Sequence, residues 1–169
     1  RRVWASSVNH DPELAEKYGY GWSTLTLMEE TGWVEPNASL FPATRAALEA
    51  SGLADHAIEV FFARQAPRTG CKLHSDNRNW VLAAHIGVRM APGEHCHIDV
   101  GSARHVWSEG GALVMDGSFM HQTFNDSDEP RYVLIVRFWH WELTTDERAA
   151  LQDAVDMMFT YRTHGKLYL

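Results

Sequence analysis

From residue 58 onward, apolar and polar positions alternate in short bursts: IEVFFARQ (58–65), WVLAAHIGV (80–88), HCHIDV (95–100), ALVMD (112–116) and YVLIVRFWH (132–140). Each burst is rich in β-branched or aromatic residues and is closed by Gly, Pro, Asp or Ser, the pattern of strands in an antiparallel sandwich or barrel. The earlier residues carry helix punctuation instead. Asp11-Pro12 reads as an N-cap and first helical position, and FPATRAALEASG runs from Pro42 to a terminating Gly52. After the strands, LTTDERAALQDAVDMMFTYR offers a capping box in Thr144 and Glu147, followed by apolar residues at Leu151, Val155 and Met158. The pattern predicts a helical covering layer over 1–57, a β core over 58–142, and a C-terminal helix and tail over 143–169 packed on the core.

Composition makes this one domain, because 169 residues at 45% hydrophobic content can bury one good core and not two. Twenty-two acidic against 15 basic residues give a net charge of -7, which repels a phosphate backbone and argues against a nucleic-acid partner. No apolar run approaches the roughly 20 residues that span a bilayer, and Arg1-Arg2 is not followed by the apolar stretch of a signal peptide. The expectation is a soluble domain, part of a longer precursor since it begins without Met, with cellular location and oligomeric state left open. Cys71 and Cys96 lack the number for a disulfide framework and the spacing for a structural zinc site, so both are expected to be small buried hydrophobes.

Ten histidines supply the candidate chemistry. His10, His56 and His164 have no partner at ligand spacing. His95 and His97 are two apart and point to one side of a strand, where a second or adventitious metal site is the alternative and solvent exposure is expected. His74 and Asp76 share that spacing but sit between the turn-like APRTG and a strand. A non-haem iron(II) site needs two imidazoles and one carboxylate on one face of an octahedron, with three positions open. His74 and Asp76 can supply two ligands, and His121, 47 residues on, is the best third. Ten residues further, Arg131 heads a strand from which a guanidinium can grip a dicarboxylate whose other end chelates the metal. Asp116, Gly117 and Ser118 read as the turn that presents His121. Trp107, Trp139 and Trp141 read as packing residues, and His140 as a partner for a turn or the helix entry.

The segment from about residue 58 to 152 also resembles the aspartyl/asparaginyl β-hydroxylase family of iron- and 2-oxoglutarate-dependent oxygenases. The likeness is carried by HSDNRNWVLAAHIGV and by HVWSEGGALVMDGSFMHQTFNDSDEPRYVLIVRFWHWELTTDER, with its ordered Trp, Glu-Gly, Asp-x-Ser-Phe-x-His, Arg and Trp-His-x-Glu-Leu-Thr landmarks. Gly21-Trp22 and FPATR (41–45) extend it more weakly. The resemblance implies a double-stranded β-helix (jelly-roll, cupin-like) fold with iron on His74 and His121. It also implies that Arg131 pairs with the far carboxylate of 2-oxoglutarate and that His85 lies beside the near one.

Three departures bear on function. The family's animal members carry glycine where this chain has Asp76, which is here either a third ligand or the partner of a metal-bound water. A family serine that assists the cosubstrate arginine is replaced by Ala63. Two family arginines that hold an acidic substrate are replaced by Val81 and Ala83, which period two places on one face with His85. Arg78, Arg89 and Arg137 are the cations that could restore the lost charge, although each is expected to be a solvated or salt-bridged arginine, and Arg78 joins Val81 and Ala83 as a pocket candidate. The expected activity is hydroxylation of an unactivated C–H bond using Fe(II), O2 and 2-oxoglutarate, on a peptide residue, a free amino acid or another small molecule. The alternative is a cupin-like module that binds a metal or ligand without turnover.

Overall fold

Each apolar burst of the second half is a strand, and the breaks fall where Gly, Pro and Asp interrupt the alternation. The computed structural model describes residues 4–6, 19, 21–76 and 78–164. The strands are β1 (Ala5–Ser6), β2 (Trp22–Glu29), β3 (Gly32–Trp33), β4 (Ala57–Gln65), β5 (Thr69–His74), β6 (Val81–Arg89), β7 (Cys96–Val100), β8 (Ala103–Val106), β9 (Ala112–Asp116), β10 (His121–Asn125) and β11 (Arg131–Trp139). Helix α1 spans Pro42–Ala50 and α2 spans Thr145–His164.

One sheet runs β1-β2-β4-β11-β6-β9, with β3 attached to β2, and the other runs β5-β10-β7-β8. Counted from β4, the eight core strands read first-eighth-third-sixth in one sheet and second-seventh-fourth-fifth in the other. Successive strands therefore cross between sheets, except at the hairpin between β7 and β8. That order is the double-stranded β-helix, a jelly roll.

Period two divides the larger sheet into an inner and an outer face. Trp22, Phe61, Ala83, Met115, Val133 and Ile135 point inward and pack with Cys71, Cys96, Ile98 and Trp107 between the sheets. Leu25, Leu27, Val60, Phe62, Leu134 and Val136 point outward and are covered by Leu48 of α1 and Ala54. Helix α1 has Pro42 in its first turn, and Gly52, at φ 73°, takes the left-handed turn that ends it. Cys71 and Cys96 are both buried and form no disulfide, as their isolation in the sequence suggests.

The amino-terminal layer needs a correction. Residues 22–29, expected within a helical cover, form a strand paired with β4 at the heart of the larger sheet. Trp22 points into the barrel and Leu25 and Leu27 pack under α1, while Thr24, Thr26 and Met28 are half-buried; the Thr24-Leu25-Thr26-Leu27 alternation is a strand signal that the helical expectation passed over. The helix start at Asp11-Pro12 lies outside the described residues. Helix α2 begins as its capping box requires: Glu147 N–H donates to Thr144 Oγ1 at 3.3 Å while Thr144 N–H donates to Glu147 Oε2 at 2.8 Å. Leu151 and Val155 are half-buried, but Met158 is exposed.

Candidate metal centre

His74 ends β5 and His121 begins β10, and antiparallel pairing sets them directly opposite each other in register. Their ring centroids lie 4.2 Å apart. Asp76 follows two residues after His74, with Oδ1 at 3.8 Å from His74 Nε2. One ligand atom from each of the three side chains falls within 4.8 Å of the others. Metal–ligand bonds of about 2.1 Å put neighbouring donors about 3 Å apart, so a short inward movement of the three would close on one ion.

The imidazoles are oriented for this. His121 Nδ1 lies 2.8 Å from the Phe119 carbonyl, and His74 Nδ1 contacts the Lys72 carbonyl. A backbone carbonyl only accepts, so each Nδ1 carries the proton and each Nε2 presents its lone pair. The Asp116–Ser118 turn also holds Asp76 beside the two histidines. Ser118 N–H donates to Asp116 Oδ1 at 2.8 Å, and Asp76 N–H donates to the Gly117 carbonyl at 2.8 Å. A Cβ on Gly117 would stand 2.9 Å from Asp76 Oδ2, so glycine permits this close approach.

Deeper on the inner face lies Arg131, only 1% exposed. Its guanidinium sits over the Trp107 ring at 4.2 Å and near Trp22 at 5.9 Å. Nε and Nη1 are buried without a hydrogen-bond partner among the described residues, as are Trp107 Nε1 and His85 Nδ1. Burial pulls the Arg131 pKa down to about 10, which still leaves it charged at neutral pH. His85 stacks on Trp107, centroids 5.8 Å apart and planes at 13°. Burial first and the Arg131 charge second drive its pKa down to about 3, so the imidazole is neutral. The charges of Arg137 and Asp76 also reach His85, which stands between the deep guanidinium and the ligand cluster.

The apolar wall is as period two predicts: Val81, Ala83 and His85 are buried on one face of β6, and Met115 of β9 is the register partner of Ala83. Ala63, which leaves the serine position empty of a hydroxyl, is fully buried; two residues on, Gln65 is the register partner of Arg131. Among the arginines offered to replace lost charge, Arg78 and Arg89 are exposed. Arg137 alone of the three lies inside the barrel, opposite Ala83, and it is engaged by Asp76 and Glu59.

Other sequence expectations divide. His97 is not exposed: it is 5% accessible and stacks on Phe124 at 4.7 Å, because β7 lies against β10 in the middle of the smaller sheet. Trp107 is buried as a packing residue should be, whereas Trp141 is 69% exposed and stacks on His140 at 4.6 Å. His140 holds the turn before α2, its Nδ1 accepting from Glu142 N–H at 3.3 Å. Sequence reading missed Glu59 as a partner of Arg137; the only signal was that period two puts residue 137 on the face of residue 131.

A jelly roll with a two-histidine, one-carboxylate cluster at one end and a buried arginine within belongs to the cupin-like class of β domains. More narrowly, this chain belongs to the aspartyl/asparaginyl beta-hydroxylase family, whose profile matches residues 2–141. Aspartyl/asparaginyl beta-hydroxylase of Mus musculus is 31% identical over 143 residues, covering 83% of this chain and 19% of that protein. Aspartate beta-hydroxylase domain-containing protein 1 of the same species is 39% identical over 73 residues, 41% of this chain and 20% of that protein. The chain thus spans about a fifth of the length of these relatives. Among solved structures, KdgF from Halomonas sp. superposes with a TM-score of 0.49 at 10% identity, covering 83% of this chain and 89% of that one. The jelly-roll assignment comes from the strand order itself. No helix among the described residues is long and apolar enough to cross a membrane.

Proposed function

We propose that this domain is an Fe(II)- and 2-oxoglutarate-dependent dioxygenase that hydroxylates an unactivated C–H bond. In this reading His74, Asp76 and His121 hold the metal, and Arg131 with His85 receives the cosubstrate. The observation that carries it is the buried Arg131 guanidinium, two of whose N–H groups face no acceptor among the described residues. A buried charge left unpaired costs several kcal/mol, on the order of the loss from deleting one partner of a buried pair. A carboxylate entering from outside removes that penalty, and a dicarboxylate can reach the metal cluster with its other end.

The donor sets fit these groups. Two Nε2 lone pairs and one carboxylate leave half an octahedron open. Arg131 Nε and Nη1 and Trp107 Nε1 offer donors to a carboxylate, and His85 Nδ1 has no hydrogen-bond partner among the described residues. When bound, iron supplies oxygen activation coupled to oxidation of the keto acid. The chain's own part is placement: Arg131 fixes one end of the cosubstrate, and His85, kept neutral by burial, adds no charge beside the other. Val81, Ala83 and Met115 line an apolar wall that keeps water from the reacting centre.

That wall also bears on the substrate, a small molecule or a peptide residue. Neither Val81 nor Ala83 can pair with a carboxylate, so the substrate group that enters is uncharged, and free amino acids or acyl chains suit it better than aspartyl side chains. The test is Fe(II)-dependent succinate formation from 2-oxoglutarate, run against acidic peptides and neutral small molecules. Turnover lost in His121→Ala and Arg131→Met supports the reading. A folded, metal-loaded protein that neither binds nor consumes 2-oxoglutarate with any substrate is instead a binding module.

A further inference from the structure

Arg137 and His74 meet different oxygens of the Asp76 carboxylate. Arg137 Nη2 donates to Asp76 Oδ2 at 3.2 Å and its Nη1 to Glu59 Oε2 at 3.0 Å. Its guanidinium lies 5.4 Å from the Phe61 ring centroid, which fixes it laterally. Gly117 closes on the same oxygen, since a Cβ there would meet Oδ2 at 2.9 Å. The other oxygen, Oδ1, is the one turned toward His74 Nε2, at 3.8 Å. The two carboxylate oxygens therefore have different neighbours, one engaged by protein and one facing the ligand cluster.

We infer that Arg137, braced by Glu59, is a positioning residue that restricts Asp76 to one-oxygen coordination of the metal. This builds on the metal reading above. A free carboxylate can chelate with both oxygens, and in a six-coordinate site that would leave two open positions. A keto acid that chelates through two atoms, together with one oxygen molecule, needs three. The clamp keeps the third position open. It does so at little electrostatic expense, because Glu59 neutralises Arg137 and the trio carries the single negative charge of Asp76 alone. Residues 59, 76 and 137 come from three separate segments, so this arrangement exists only in the folded barrel.

The test uses the full chain, stripped of metal and titrated with Mn(II), with loading followed by the free-ion EPR signal and bound water counted by water-proton relaxation. The double variant Arg137→Met/Glu59→Gln removes the clamp and keeps the net charge. Its relaxation enhancement is expected to fall by about one third, as the freed Oδ2 displaces one of three bound waters from an octahedral ion. Loss of Mn(II) binding by a folded double variant overturns the inference, since Asp76 then needs the clamp to bind at all rather than to be held to one oxygen. A folded, loaded double variant with wild-type affinity and water count overturns it while leaving the metal site intact. Should that variant fail to fold, Arg137→Lys keeps the charge but cannot span both carboxylates; the same fall in water count is expected, and an unchanged count overturns the inference. Wild-type chain that binds no Mn(II) overturns both this inference and the metal reading. Arg104→Met, on an exposed pair with Asp99 outside the barrel, is the control for a generic loss of positive charge.

Discussion

Arg131 and Arg137 lie on one strand, six residues apart, and period two points both into the barrel, yet their surroundings are opposite. Arg131 is sealed from water, rests on Trp107, and faces no carboxylate among the described residues. Arg137 is partly exposed, rests near Phe61, and holds two carboxylates at 3.0 and 3.2 Å. A paired guanidinium is satisfied within the protein and serves to orient its partners. An unpaired buried one leaves its bonding capacity for a ligand. The difference between two like residues on one strand is thus one of pairing, and the proposed roles, ligand binding for Arg131 and positioning for Arg137, rest on it.

The sharpest way to break this comparison is to remove each charge in turn. Arg131→Met should weaken 2-oxoglutarate binding by about 100-fold or more, a charge-assisted pair being worth about 3 kcal/mol. Isothermal titration with Mn(II) in place of iron measures it. The same change should leave the melting temperature of the ligand-free protein equal or higher, because an uncompensated buried charge is replaced by an apolar chain. A large drop in ligand-free stability would mean that Arg131 already has an internal partner and is no different in kind from Arg137.

His85 stands between the two arginines and reports on both. Its folded pKa of about 3 lies below the ordinary histidine value, so between the two the unfolded chain binds the extra proton and the folded one does not. Stability from this group is complete above pH about 6.5 and is lost as pH falls, by up to about 1.4 kcal/mol per pH unit. From pH 6.5 to 5 the loss approaches about 2 kcal/mol. His85→Leu should therefore show a shallower fall in melting temperature over that interval than wild type. Equal slopes would mean the imidazole gains a proton in the folded state, and with it a second positive charge beside Arg131.

How much of this contrast could be read from the chain alone depends on separation in sequence. His74, Asp76 and His121 were legible because a two-residue spacing and one distant histidine suffice to suggest a triad, and β pairing then supplied the rest. Arg131 was legible by its place at the head of a strand. The Asp76–Arg137–Glu59 clamp was not, because its members are joined across 61 and 78 residues by sheet register, which no local pattern encodes. Strand β2 was missed although Thr24-Leu25-Thr26-Leu27 alternates, because the helix punctuation on either side, at Asp11-Pro12 and Pro42, set the expectation for the whole amino-terminal stretch. His95 and His97 were both expected in solvent; His95 is exposed, but the position of β7 between β10 and β8 buries His97.

A smaller effect sharpens the contrast from the other side. Arg137→Met leaves Asp76 and Glu59 without the cation that bridges them. Since these groups are partly exposed, with side-chain accessibilities of 20% and 34%, solvent screens much of the cost. A destabilisation of about 1 kcal/mol, or a melting temperature lower by about 2–4 °C, is expected. The sign is opposite to that of Arg131→Met. Thermal melts of the two metal-free variants side by side test it, and a shared sign would remove the distinction between the two arginines.

The aromatic rings beneath the two guanidiniums provide the finest test. Phe61 has no polar edge, and the arginine above it needs none, because its donors are taken by carboxylates. Trp107 carries a buried indole N–H with no hydrogen-bond partner among the described residues, under the Arg131 guanidinium. If that N–H serves an incoming carboxylate, Trp107→Phe keeps a plate under Arg131 and a stack for His85 while deleting one donor. The expected loss is about 1 kcal/mol in 2-oxoglutarate affinity, roughly five-fold, the usual net worth of one neutral hydrogen bond. Ligand-free stability should change little, since an unsatisfied polar atom leaves as some ring contact is lost. Phe61→Trp at the other arginine, where no donor is wanted, should bring no compensating gain in affinity. Unaltered binding in Trp107→Phe would make Trp107 a packing surface only, as Phe61 is, and would leave Arg131 as the sole anchor of the anion.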